Sequence, residues 1–299
     1  MTQLTAGKIG NLAAEGIRDL LARSLGGEPV LRYTEEPGLD WATLREGGWD
    51  EIGVPEEVGG AGASLRDLTE IAITWGEFCV PLPLIVTLAA KRWSAIAREH
   101  TGPVTVAVAG GALVAPFGGE PDVRVLAGCG VEPDAFLSRT TGETDGFALT
   151  LRPVTADQAT AFGAEAAREL AVLWAAEGVG AAKRCLRDAV DYAKGRKQFG
   201  VPIGSFQAIK HRTAHMLELT ERAETAVLWA AADGYCDGAE SISTRRLVLH
   251  ALATAREIVE SAIQVHGGMG ITWEMGVHVY LRHVVTLREL VQGLLHETN

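Results

Sequence analysis

Cysteine is scarce in this chain, and its placement is uninformative for chemistry. Cys79, Cys129, Cys185 and Cys236 are scattered without any C-x-x-C spacing, which gives neither a disulfide framework nor a zinc site and leaves buried thiols as the expectation. Basic charge is also in deficit, with 27 Lys and Arg against 38 Asp and Glu and a net charge of −11. Nucleic acid is therefore not an expected partner, because a polyphosphate needs a basic face. A phosphorylated cofactor stays open, since it needs only a few local donors. No apolar run approaches the ~20 residues of a membrane span, and M-T-Q-L-T-A-G-K lacks the build of a signal peptide, so no membrane and a cytoplasmic location are expected. Internal repeats and low-complexity linkers are missing too. The glycine-bearing H-G-G-M-G lacks the G-x-G-x-x-G spacing and follows a helical pattern instead of a strand, so it is not a Rossmann turn.

What is present is an ordinary globular composition, 47% apolar and 22% charged over 299 residues, enough for about two domains and a substantial core. Residues 1–102 read as helical. Leu12, Ile17, Leu20 and Leu21 share one helical face, and Ser64 with Asp67 three residues on marks a helix start. Residues 103–160 change to short β-branched runs, V-T-V-A-V-A, D-V-R-V-L-A and G-F-A-L-T-L-R-P-V, separated by turn signals, which predicts a small β module of about five strands. Residues 161–299 return to the helical period, with Leu173, Val179, Leu186 and Val190 on one face and Gly178 and Gly180 permitting close helix contact. Three or four such helices with short connections make an antiparallel bundle.

Two stretches of the last third carry the chemistry. R-K-Q-F-G-V-P-I-G-S-F-Q, Arg196 to Gln207, reads as a loop between two long helices. Arg196 is a solvated surface residue or a fork for a diphosphate. Gln198, Gln207 and Gln264 offer donors and acceptors suited to ribose, an adenine edge or a backbone carbonyl. Phe199 and Phe206 are core or interface anchors, or walls for a nucleotide. In Q-V-H-G-G-M-G-I-T-W-E, Gly267 and Gly268 either simply end a helix or let a ligand approach the backbone. His211, His215 and His266 sit at helical spacing but lack a carboxylate or thiolate cluster, so no metal site is expected.

Together, R-K-Q-F-G-x-P-I-x-x-F-Q and Q-x-H-G-G-M-G-x-T-W-E strongly resemble the acyl-CoA dehydrogenase family, and V-P-E-E-V-G-G-A-G-x-S-L-x-D-L is similar to its N-terminal helical domain. The resemblance implies a mainly α fold, with a helical N-terminal domain, a middle β domain and a C-terminal four-helix bundle. It implies FAD as cofactor, seated between the β domain and bundle of one subunit with its ADP half on the bundle of a neighbour. By that resemblance Arg196, Gln198 and Phe199 match positions at the neighbour's pyrophosphate and adenosine. Gln207 matches an adenine-side position, and Gln264, Gly267 and Gly268 match the segment under the ADP.

The same resemblance exposes departures. The family removes an α-proton and a β-hydride from an acyl-CoA thioester, which needs a carboxylate base. Its two base positions fall on Leu170, in the first bundle helix, and Val291, in a C-terminal loop. Glu169 is one residue away, a rotation of about 100° on a helix. Glu289 is two residues from the second position and is the alternative base. Glu177, Glu257 and Glu274 read as surface or structural carboxylates. The flavin-holding T-E-P-x-x-G-S-D and W-x-I-T-N stretches have no counterpart between Gly102 and Glu165, where G-G-E-P-D at Gly118 is at best a remnant. The expectation is a base-lacking half-site subunit that completes the FAD site of a longer paralogous partner in an α2β2 assembly, acting on a steroid-ring or side-chain CoA ester. The alternatives are a self-sufficient dehydrogenase using Glu289 and a non-enzymatic structural or regulatory member.

Overall fold

The computed structural model describes residues 5–25, 38–109, 113–117, 123–127, 151–153, 163–232 and 243–295. Five helices come first: α1 (Lys8–Leu25), α2 (Trp41–Glu46), α3 (Leu65–Phe78), α4 (Leu84–Trp93) and α5 (Ala95–Glu99). Ser64 caps α3 as the sequence implies, in a reciprocal box with Asp67. Asp67 does more than that, because its Oδ1 also accepts from the backbone N–H of Gly7 at 2.7 Å and Gly10 at 3.0 Å. One carboxylate thus satisfies the exposed donors at the starts of both α1 and α3. On α1 the inward face is Ala13, Ala14, Ile17 and Leu21, whereas Leu12 is 58% exposed, so the apolar stripe is rotated from the one expected.

The β module holds β1 (Val104–Ala109), β2 (Leu113–Pro116), β3 (Arg124–Ala127) and β4 (Leu151–Pro153) in the order β3-β1-β2-β4. β1 runs parallel to β3 and antiparallel to β2, and β2 is antiparallel to β4. β2, in the run G-A-L-V-A-P, was not singled out by the sequence pattern, which named the segments around the other three. Gly118 to Asp122, Cys129 and Cys236 lie outside the described residues. Thr87 of α4 fastens the sheet to the helices, its hydroxyl donating to Val104 O at 2.8 Å and accepting from Val104 N at 3.0 Å.

Four long helices follow: α6 (Ala164–Gly195), α7 (Gln207–Ala231), α8 (Thr244–His266) and α9 (Val277–Leu294). They run alternately up and down. The second half of α6 packs with the first halves of α7 and α9 and the last turns of α8 around Cys185, Met216, Ile258 and Val284. α3 lies across α6 and is buried at every residue except Glu70 and Phe78. The crossing is made by glycines. A Cβ on Gly76 would stand 1.9 Å from Glu177 O, and one on Gly180 1.9 Å from Ile73 O, so the two backbones touch. Gly178 faces the other way, onto the Leu252 side chain of α8.

This geometry sets an expected outcome. Gly180→Ala forces α3 and α6 apart and lowers unfolding free energy by about 3 kcal/mol in chemical denaturation. Gly195→Ala, where a Cβ meets nothing within 4 Å, leaves stability unchanged or slightly raised.

Candidate dinucleotide-binding site

α6 ends at Gly195, and the residues after it form a small hairpin rather than the loop expected from their composition. Lys197–Gln198 (β5) pairs antiparallel with Val201–Pro202 (β6). The two residues between them, Phe199 at φ 51° and Gly200 at φ 82°, are both left-handed, which is the tight hairpin turn whose twist matches that of its strands. Arg196 anchors both sides: its N–H donates to Tyr192 O at 2.8 Å, and its carbonyl accepts from Ile203 N at 2.8 Å. Glycine suits the second turn position, but a phenylalanine at the first is strained. Its ring is 93% exposed, with the Phe206 ring edge-on to it at a centroid distance of 6.2 Å.

The second motif ends α8. Tyr192, one turn before Arg196, lies against His266 with ring centroids 4.6 Å apart, so the ends of α6 and α8 sit side by side. Since α7 starts at Gln207 and α9 at Val277, both motifs gather at one end of the bundle. His266 is buried and its Nδ1 donates to Ala262 O at 2.8 Å. Arg196, Gln198, Gln207 and Gln264 are all exposed there. Gln198 Nε2 donates to Lys197 O at 2.8 Å, and the Arg196 guanidinium has no ion pair among the described residues.

The two glycines behave differently. Gly267, at φ 61° and ψ −139°, caps α8 in a conformation that only glycine adopts readily, so its own backbone explains it. Gly268 has no such φ, and a Cβ there would meet nothing within 4 Å. Neither turn geometry nor packing within the chain calls for glycine at 268. The residues beyond it, which the sequence reading passed over, are unusually bare: Ile271 is 70% and Trp273 53% exposed. Apolar side chains directly after a glycine corner were the available signal for a covered surface.

No carboxylate stands at either base position. Leu170 on α6 and Val291 on α9 are both fully buried. The second position lies inside α9, not in a loop, so no loop shift is available to bring Glu289 inward. Glu289 points to solvent, its side chain 63% exposed and 3.4 Å from Arg288. Glu169 is buried and committed elsewhere: its Oε2 accepts from Arg92 Nε at 2.9 Å and from Trp93 Nε1 at 2.7 Å. Glu177 is structural as well, with its Oε1 3.0 Å from His283 Nε2. Glu257 and Glu274 are exposed. No group of three or more His, Cys, Asp and Glu that could hold a metal occurs among the described residues, and none of their helices is long and apolar enough to cross a membrane.

Comparison with known proteins shows the family. Residues 165–290 match the family described as acyl-CoA dehydrogenase, C-terminal domain. The acyl-CoA dehydrogenase IpdE2 of Mycobacterium tuberculosis is 33% identical over 300 residues, covering 93% of this chain and 92% of that protein. The chain belongs to the acyl-CoA dehydrogenase family. Another family member, FadE34 of the same organism, is 35% identical over 268 residues, which are 77% of this chain and only 37% of FadE34. Among solved structures, the ChsE4–ChsE5 complex of Mycobacterium tuberculosis superposes with a TM-score of 0.70 at 19% identity, over 98% of this chain and 95% of that one. The Tcur3481–Tcur3483 steroid acyl-CoA dehydrogenase variant gives 0.68 at 22% identity, over 96% and 93%. At these identities the structures establish the fold.

Within this family member the His283–Glu177 contact has a measurable signature. Burial by itself would lower the His283 pKa, but the Cys79 sulfur and the Glu177 carboxylate facing the ring outweigh it and raise the value to about 10. An unfolded histidine titrates near 6.5. The stabilisation is thus complete below that pH and drains away as pH rises towards 10. Unfolding free energy measured from pH 6 to 10 should fall, and His283→Leu should flatten that fall.

Proposed function

We propose that this chain is the half-site subunit of a heteromeric, FAD-dependent acyl-CoA dehydrogenase, completing the FAD site of a longer paralogous partner across their interface. The observation that carries the reading is a contrast within one molecule. One end of the bundle presents an arginine with no ion pair among the described residues, exposed amides and a glycine with open space beside it, whereas both positions where the family keeps its base hold buried aliphatic side chains.

The residues present fit the diphosphate end of FAD. Arg196 can fork two charge-assisted hydrogen bonds onto a diphosphate, and Gly268 leaves room for phosphate oxygens against the backbone. Gln198, Gln207 and Gln264 can meet ribose hydroxyls or an adenine edge, and Phe199 can cover the base. When bound, FAD supplies the acceptor for the hydride leaving the β-carbon. Removing the α-proton falls to the partner, because Leu170 and Val291 cannot take a proton and Glu169 is held by Arg92 and Trp93. The uncovered Phe199, Ile271 and Trp273 supply apolar surface for that partner to bury.

The relative IpdE2 is an acyl-CoA dehydrogenase of similar length, and the ChsE4–ChsE5 and steroid acyl-CoA dehydrogenase structures are two-component assemblies by name. They support a steroid-derived or similarly bulky CoA thioester as substrate. Self-sufficiency through Glu289 finds no support in its outward position on α9.

The test is flavin absorbance. Purified alone, the chain should be colourless and inactive, and co-expressed with its paralogous partner it should give a yellow, active assembly. Arg196→Ala and Gly268→Val should each lower the flavin content of that assembly, with Arg196→Ala weakening FAD binding about 10- to 100-fold. Neither should change the melting temperature of the chain alone. A yellow, active preparation of the lone chain would overturn the reading, as would full flavin content in Arg196→Ala.

A further inference from the structure

Of the four bundle helices, α7 is the one its neighbours cover least. Eight of its 25 residues are buried, against 11 of 23 on α8 and nine of 18 on α9, and the first of the eight is Met216. Lys210, Ala214, Leu217 and Glu221 follow one another at steps of four, three and four, which puts them on one seam of the helix. All four are exposed, Leu217 at 52%. Other charges of α7 close to this seam are already paired. Glu218 lies 3.1 Å from His215 and 3.4 Å from Arg222, and Glu224 lies 2.9 Å from Lys183. Lys210 and Glu221 have no ion pair among the described residues. The seam has a midpoint between Ala214 and Leu217. A small residue stands as far before it as a large one stands after it, and a cation as far before it as an anion after it.

We propose that this seam packs against the same seam of a second copy of the chain, with the two α7 helices antiparallel about a two-fold axis. About that midpoint, Leu217 of each copy covers Ala214 of the other, and Lys210 of each meets Glu221 of the other. Every contact then occurs twice, as a self-complementary interface requires. A parallel pairing would set lysine against lysine and glutamate against glutamate, so charge selects the direction. Alanine opposite leucine lets the helices approach and buries the exposed aliphatic side chain. The complement that this face needs is present on the face itself, which favours a second copy over a different protein. The contact goes beyond the half-site role, since it joins two copies of this chain and is centred more than two turns along α7 from Gln207.

Sedimentation equilibrium of the full chain alone reads this contact directly. The chain should be a reversible dimer, and Leu217→Glu should make it monomeric with its helix content by circular dichroism unchanged. Lys210→Glu and Glu221→Lys should each raise the dimer dissociation constant about tenfold, and the two together should restore most of the affinity. A chain that stays monomeric up to about 100 μM overturns the pairing, as does a dimer indifferent to Leu217→Glu. A double charge variant weaker than either single one overturns it too, because unrelated losses add whereas a swapped pair recovers. Co-expression with the longer partner separates this outcome from the half-site reading. In that assembly Leu217→Glu should leave the flavin content per chain unchanged. Flavin lost with Leu217→Glu would put the longer partner on the seam and overturn the proposal. A colourless wild-type assembly beside a Leu217-dependent dimer of the lone chain would overturn the half-site reading and uphold the pairing.

Discussion

Gly76 and Gly180 put the backbones of α3 and α6 in direct contact, and the rest of the molecule is arranged around that crossing. With a Cβ at either position about 1.9 Å from an opposing carbonyl oxygen, no side chain can be admitted without separating the helices. Because the helices meet so closely, Trp75 and Trp174 can both be almost completely buried and the first helices share one core with the bundle, from Ala13 to Leu294. The crossing also fixes the rotation of α6 about its axis. That rotation sends Leu170 inward and Glu169 towards Arg92, and it aims the far end of α6, with Arg196, at the end of α8.

Several buried carboxylates of the described residues hold separate segments together. Glu169 joins α6 to the last turn of α4 through Arg92 and Trp93, and Arg92 also donates to Gly53 O and Ala63 O at 2.9 and 2.8 Å. Lys91, next to it, is buried and pairs with buried Asp50 at 2.5 Å. Breaking one side of such a pair strands a charge in the interior at a cost of about 3–5 kcal/mol. A general base needs the opposite environment, with an open approach and no cation clamped onto it. The described interior is therefore well adapted for cohesion and poorly adapted for proton abstraction, in keeping with the proposed half-site role.

The sequence made the helix-strand-helix order readable because each part had its own periodicity, and it made Ser64, Asp67 and Gly180 readable because caps and close crossings require particular residues. The hairpin at Lys197–Pro202 was harder: its strands are two residues each, too short for alternation to register, and its turn places phenylalanine where asparagine or glycine is usual. Leu12 misled for a related reason, since a long aliphatic residue on a small-residue helix draws the eye from Ala13 and Ala14, which do the packing. The emptiness beside Gly268 could not be read at all, because it is a property of what the folded neighbours fail to reach.

Phe199 leaves a residual imbalance in the chain. A bulky residue held at positive φ carries about 1 kcal/mol or more of backbone strain, and its bare ring adds unfavourable hydration. The chain by itself is therefore less stable than it would be with a glycine at that position. The turn is nevertheless already formed before anything touches it, so little conformational freedom remains to be lost when the ring is covered. The hairpin is a preformed peg, trading some stability for a smaller entropic penalty in the proposed assembly.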